Sequence, residues 1–195
     1  MENYEELSLN IRSSFRFLAH YNNRIISLMN FISEKLNISK YSDNSPWYEP
    51  IINNKNNLSR RDGGIHWLPM FFHEFKFENK DAQLSIFIQS DSGSWAVSDW
   101  NYEIDDFTEI ESSKTRIIFA ATNSKKCDLI KILFDDENFD NFLKIENIIP
   151  LSKNTIVCKS FELKDFKDEA AANNTLKEYI KFIKKTGIIG VEYKE

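Results

Sequence analysis

The sequence predicts an α+β protein, a mostly antiparallel sheet of about four to six strands packed against a long N-terminal helix and a C-terminal helix. Three observations carry this. Apolar residues recur at helical spacing from Glu6 to Leu36, and alternate at strand spacing in the middle of the chain. No repeated strand–helix–strand spacing is present, which a parallel sheet would require.

The first helix is predicted over 6–37. Ile11, Leu18, Ile25 and Ile32 are seven apart, and Phe15, Met29 and Leu36 each follow one of these by four. Asn22 takes the remaining place in the second series, where a partly buried polar side chain can set register or partner number. Tyr21, Leu28, Phe17 and Phe31 widen the stripe, so packing on the protein's own sheet is expected, with a homodimer through this helix as the alternative. Residues 39–64 are polar, contain Pro46, Pro50 and Gly63-Gly64, and show no period, which reads as a long loop. Within it, Pro46-Trp47-Tyr48-Glu49-Pro50 is read as a loop anchor tucked into the core.

Strands are expected across 65–122. Ile65, Trp67, Phe71, Phe75 and Phe77 alternate around Pro69, which makes that strand an edge or a broken one. Leu84, Ile86 and Ile88 follow a turn at Asn79-Lys80-Asp81, and a second turn at Ser92-Gly93-Ser94 leads into Trp95–Tyr102. Thr115–Thr122 has a continuous apolar centre. Residues 125–147 read as one or two short helices ending before Pro150, 155–163 as a strand, and 168–186 as a helix. That last helix opens on Asp168 and Glu169 and closes on Lys181, Lys184 and Lys185 before Gly187, in agreement with the helix dipole. With no internal repeat, the 195 residues are expected to form a single domain.

Composition narrows the function. Hydrophobic residues at 42% and charged residues at 28% describe a self-sufficient folding unit. Phe (16), Asn (20), Lys (19) and Ile (24) are in excess, as AT-rich codons produce, which points to a low-GC bacterial or phage genome. A net charge of -5 disfavours general nucleic-acid binding, and the Lys55, Arg60 and Arg61 cluster reads as a solvated loop. Cys127 and Cys158 have neither metal-knuckle nor redox spacing and read as small core residues. The acidic start and the absence of any apolar run near the ~20 residues that span a bilayer make a cytoplasmic location the expectation, with no membrane attachment.

No strong catalytic or cofactor signal emerges. The five glycines form neither of the phosphate-binding loop patterns, the histidines 20, 66 and 73 do not have zinc-ligand spacing, and no nucleophile elbow is present. No cofactor and no metal is expected, and the reading leans against an enzyme. One pattern suits catalysis: Asp62 followed by Glu74-Phe75-Lys76 on a predicted strand. Over some fifteen residues it resembles the acid and Glu-x-Lys arrangement of restriction-endonuclease-like nucleases. That resemblance implies carboxylates holding a divalent metal and a lysine positioning water. Asp62 departs from it by lying in the polar stretch Leu58–Gly63 rather than on a hydrophobic strand.

The strongest local anomaly lies between Asp91 and Glu111, where seven acids occur without a lysine or arginine. Asp91, Asp99, Glu103, Asp105 and Asp106 are interleaved there with Trp95, Trp100 and Tyr102. Acids steer a basic partner and Trp and Tyr anchor an interface, a strategy that inhibitory and immunity proteins use against basic toxins. The plainer alternative is a strand with inward aromatics and outward acids. The leading expectation is therefore a non-enzymatic protein-binding module of immunity, inhibitor or defence type. The alternatives are the metal-dependent nuclease and a homo-oligomeric scaffold subunit.

Overall fold

The computed structural model describes residues 4–38, 40–46, 73–93, 109–124, 127–133, 142, 144–151 and 155–195. Among these the chain has the α+β architecture that its periodicities predict. Helix α1 covers Tyr4–Lys35, and six strands follow: β1 Lys40–Pro46, β2 His73–Glu78, β3 Gln83–Gln89, β4 Arg116–Thr122, β5 Glu146–Pro150 and β6 Thr155–Glu162. Helix α2 (Leu129–Leu133) precedes β5. A 3-10 turn at Leu163–Phe166 leads from β6 into helix α3, Glu169–Lys184. The sheet order is β1-β2-β3-β4-β6-β5, and all five ladders are antiparallel.

Each element has a local cause. Helix α1 begins with Glu5 and Glu6 and ends with Lys35, charges that suit the dipole. It stops at Asn37, whose φ of 50° is a left-handed conformation that asparagine tolerates, while the Ile38 amide closes on the Ser33 carbonyl at 3.1 Å. The β2–β3 hairpin turns at the predicted residues. Asn79 Oδ1 accepts from the amides of Asp81 and Ala82, both at 2.9 Å, which folds the backbone into a side-chain-closed turn. Helix α3 is capped by Asp168, whose Oδ1 accepts from the Ala171 amide at 2.8 Å.

Two readings of local sequence are corrected. The predicted loop 39–64 contains β1, an edge strand whose residues 40 to 46 pair with β2 from Lys40 opposite Glu78 to Pro46 opposite His73, with a bulge between Tyr41 and Asp43. Its sequence, Lys-Tyr-Ser-Asp-Asn-Ser-Pro, has no apolar alternation to detect. An edge position needs hydrogen bonds on one side only, so backbone pairing sustains it and Pro46 is tolerated at its end. The predicted helical stretch 125–147 keeps α2, but Glu146 and Asn147 belong to β5 instead. That strand is the opposite edge, buries only Ile149 and ends on Pro150, so its pattern again resembles neither a helix nor a core strand.

The centre of the sheet is covered on both faces, which is why β3 is buried throughout and β4 from Ile117 onward. One face carries Phe75, Phe77, Leu84, Ile86, Ile88, Ile117, Phe119, Val157 and Phe161. Against it pack Ile25, Met29, Ile32 and Leu36 from α1 and Leu176, Tyr179, Ile180 and Ile183 from α3. The other face gathers Phe87, Ile118, Ala120, Ile156 and Cys158 under Cys127, Leu129, Leu133 and Phe142. Both cysteines are free and buried, as small core residues should be, and burial pushes the Cys158 thiol up to about 12.

Two polar groups in the first core differ in how they are satisfied. Lys159 is only 4% exposed, yet its ammonium donates to Glu146 at 2.5 Å and to Glu178 at 2.8 Å and lies over the rings of Phe161 and Phe182. Burial lowers its pKa, but the bonds to Glu146 and Glu178 outweigh that and hold it above the ordinary ammonium value. Among the described residues, the hydroxyl of fully buried Tyr179 has no hydrogen-bond partner. A buried orphan hydroxyl is destabilising, so Tyr179→Phe is expected to leave stability unchanged or raise it by about 1 kcal/mol. Urea unfolding of the two proteins measures the difference, and a loss above that size would mean that the hydroxyl is satisfied in solution.

Candidate functional site

The connection from β3 to β4 carries the acidic, aromatic stretch, and its base is tightly closed. Thr115 Oγ1 donates to the Ser90 carbonyl at 2.8 Å, the Ser92 amide donates to the Lys114 carbonyl at 3.0 Å, and the Lys114 amide donates to Ser92 Oγ at 2.8 Å. On the outgoing side Asp91 Oδ1 accepts from the Gly93 amide at 2.7 Å. On the returning side the amides of Ser112 and Ser113 donate to the Glu109 carbonyl, forming a turn that leaves Ile110 82% exposed. The base is fastened to α1 through Tyr21, whose hydroxyl is 3.2 Å from Ser90 Oγ. Burial raises the Tyr21 pKa, against the opposing effect of that hydrogen bond.

Of the predicted partner-binding residues, the structure places Asp91 at this base, where it organises the turn. Trp95, Asp99, Trp100, Tyr102, Glu103, Asp105 and Asp106 lie outside the described residues. So do the Trp47-Tyr48 pair, the Lys55, Arg60 and Arg61 cluster, and the predicted strand around Pro69.

Helix α1 passes the same end of the sheet and continues beyond it. Its apolar stripe is continuous in sequence, but only the part from Ile25 onward is buried on the sheet. Leu7, Ile11 and Phe15 extend the same stripe and are exposed, Phe15 by 69% and its neighbour Phe17 by 70%. The helix packs on its own sheet as expected, through the half from Ile25 onward, and its first half extends past that contact. A helix of 32 residues is about 48 Å long, whereas a strand of seven covers about 24 Å, so the sheet cannot reach the first half of the helix. Asn22, at the boundary between the two halves, is half-buried.

A cleft of about 590 Å³ opens where α1 leaves the sheet. Its walls are α1 from Phe17 to Leu28, residues 113 to 115 at the foot of the β3–β4 connection, and residues 162 to 167 after β6. Among the described residues four cations line it, Arg24, Lys114, Lys164 and Lys167, with Glu162 as the one carboxylate. Glu162 is clamped, receiving Lys114 at 2.7 Å on one oxygen and Lys164 at 2.6 Å on the other. The hydrogen bonds from those two lysines pull its pKa down to about 2. Arg24 and Lys167 make no ion pair among the described residues.

The second face of the sheet holds the residues of the nuclease-like pattern. Glu74 and Lys76 share it, being two apart on β2, and Ser85 stands opposite Lys76 on β3. Glu74 is 3% exposed and accepts from Ser85 Oγ at 2.5 Å. Phe87 stands opposite Glu74 on β3, and Gln83, Gln89 and Thr122 are buried elsewhere along the same face. Asp62 lies outside the described residues, so its approach to this pair is not placed. Among the described residues, no group of three or more His, Cys, Asp or Glu side chains is arranged to hold a metal ion.

The six-stranded antiparallel sheet with its flanking helices defines an α+β protein with an elaborated end, at which the cleft, the closed base and the free half of α1 meet. The chain belongs to the family designated PM0109, whose model matches residues 1–188. No curated protein and no solved structure matches it. No helix among the described residues is long and apolar enough to cross a membrane.

The cleft itself escaped the sequence reading. Its cations come from a helix, a loop and a 3-10 turn separated by tens of residues, and each alone is an ordinary surface charge. The one available signal was the projection of the α1 stripe, since a helical stripe longer than any strand can cover must leave part of itself unpaired.

Proposed function

We propose that the chain is a non-enzymatic protein-binding module, of immunity, inhibitor or defence type in a bacterial or phage setting, acting in the cytoplasm on a partner with a basic surface. The observation that carries this is the apolar stripe of Leu7, Ile11 and Phe15, left exposed at the end of the sheet from which the acidic connection departs. Exposed aromatic and aliphatic residues in one row are the anchors of interfaces, and a nearby stretch of acids with no lysine or arginine of its own speeds and orients a basic partner. The closed base favours this reading too, because a binding segment that leaves a rigid platform loses less entropy on association.

The test is capture of partners from cells that naturally make the chain, at low and high salt. Wild type is compared with a Trp95→Ala/Trp100→Ala variant and an Ile11→Asp/Phe15→Asp variant, each verified to be folded. The expected result is one stoichiometric basic protein, weakened by salt and lost with either variant, followed by reconstitution from purified components. A dimer of the chain itself, abolished by Ile11→Asp/Phe15→Asp with no second protein, would replace this reading with the homo-oligomeric scaffold. Retention of neither would overturn it.

A further inference from the structure

The cleft beside α1 has the wrong charge for a basic partner and therefore asks for a different occupant. Four cations converge on it in a chain whose net charge is -5, so its positive potential is local and built from separate elements. The position of Glu162 shows what these cations accept: one carboxylate already bridges Lys114 and Lys164, with an ammonium on each oxygen. Among the described residues, Arg24 and Lys167, which line the same cleft, make no ion pair. Phe17, Tyr21, Ile25, Leu28 and Phe166 supply an apolar part of the wall, with His20, Ser113 and Thr115 as its other polar side chains.

We propose that this cleft is a binding site for a phosphorylated small molecule with an apolar or aromatic body, its phosphoryl group held by Arg24 and Lys167 and its body laid against Phe17 and Tyr21. A phosphoryl group carries close to two charges and several acceptor oxygens, which suits a cleft lined by a guanidinium and an ammonium better than a single carboxylate does. The volume suits such a ligand, because small-molecule sites span roughly 300 to 1,000 Å³. Glu162 acts as the resident competitor: it keeps Lys114 and Lys164 engaged and limits the charge offered to the ligand.

The probes are ATP, pyrophosphate, adenosine and citrate, titrated calorimetrically into the full chain at low salt. ATP is expected to bind, pyrophosphate more weakly, and adenosine and citrate at least ~10-fold more weakly than ATP, as loss of either the charge or the stacking body requires. Arg24→Gln/Lys167→Gln, which alters exposed side chains only, is expected to weaken ATP binding by at least ~10-fold. Lys181→Gln/Lys184→Gln removes the same charge from the exposed side of α3 and is expected to change it by less than ~2-fold. Glu162→Gln keeps the side-chain shape, frees both lysines and is expected to tighten binding. Absence of ATP binding at millimolar concentration, equal losses in the two double variants, or citrate binding as tight as ATP would each overturn the assignment. Since the partner-capture variants lie outside these residues, this site and the protein-binding reading fail or stand separately.

Discussion

Phe119→Ala is expected to destabilise the protein by about 4 kcal/mol, the largest effect of any single truncation considered. Phe119 lies at the centre of β4, completely buried, with Ile86 opposite it on β3 and Lys159 opposite it on β6. Its ring meets Tyr179 at 4.6 Å, Phe161 edge-on at 5.8 Å and Phe166 at 6.3 Å. These partners come from α3, β6 and the 3-10 turn, so the ring is the point at which the C-terminal third of the chain is keyed to the sheet. Removing it opens a cavity that a covered central strand cannot collapse into, and the lost aromatic contacts add to the lost burial. Phe119→Leu retains the apolar contact and is expected to cost about 1.5 kcal/mol. Urea denaturation of all three proteins gives both numbers. A cost for alanine close to that for leucine would show that the surrounding rings close over the gap.

Gly190→Ala is expected to cost about 3 kcal/mol, and Gly187→Ala only about 1 kcal/mol. Both glycines hold positive φ, +86° and +79°, so both substitutions incur the left-handed penalty. Only at Gly190 would the new Cβ also collide, falling 2.6 Å from Asp81 Cβ and 3.1 Å from Asn79 Oδ1. That is the β2–β3 turn, and Asn79 also donates from its amide to the Gly190 carbonyl. The tail after α3 is thereby held against the hairpin and then against the end of α1, where the Lys194 amide donates to the Lys35 carbonyl at 2.7 Å. Thermal unfolding of the two variants side by side separates backbone conformation from collision. Equal losses would mean that the tail shifts away at no cost.

How much of this was legible in the sequence depends on where each residue's partners lie. Helix α3 was read nearly to its ends because its cap, its charges and its stripe are all local. The β2–β3 turn was equally plain, since Asn79 closes it on residues two and three positions away. Both edge strands were missed, and for one reason: β1 and β5 are held by backbone pairing to a single neighbour, and their side chains need not alternate. For the candidate site the division is similar. The acidic and aromatic composition of 91–111 stands out in sequence, whereas the closure of its base depends on Ser90, Ser92, Lys114, Thr115 and distant Tyr21. The four cations of the cleft become neighbours only once α1 crosses the end of β6. Glu74 and Lys76 were recognisable as a pair, but the burial of Glu74 against Ser85 required the hairpin register.

The two halves of α1 give the helix a mechanical character. It is a stiff rod clamped along one half, with its fulcrum at Tyr21 to Ile25, and those same residues form a wall of the cleft. A load on Leu7 acts through a lever arm of about 20 Å, so a small tilt at the clamp becomes a larger excursion at the tip. A ligand in the cleft and a partner on the exposed half would thus press on one rigid element, and any coupling between them would be reciprocal, each changing the affinity for the other by the same factor.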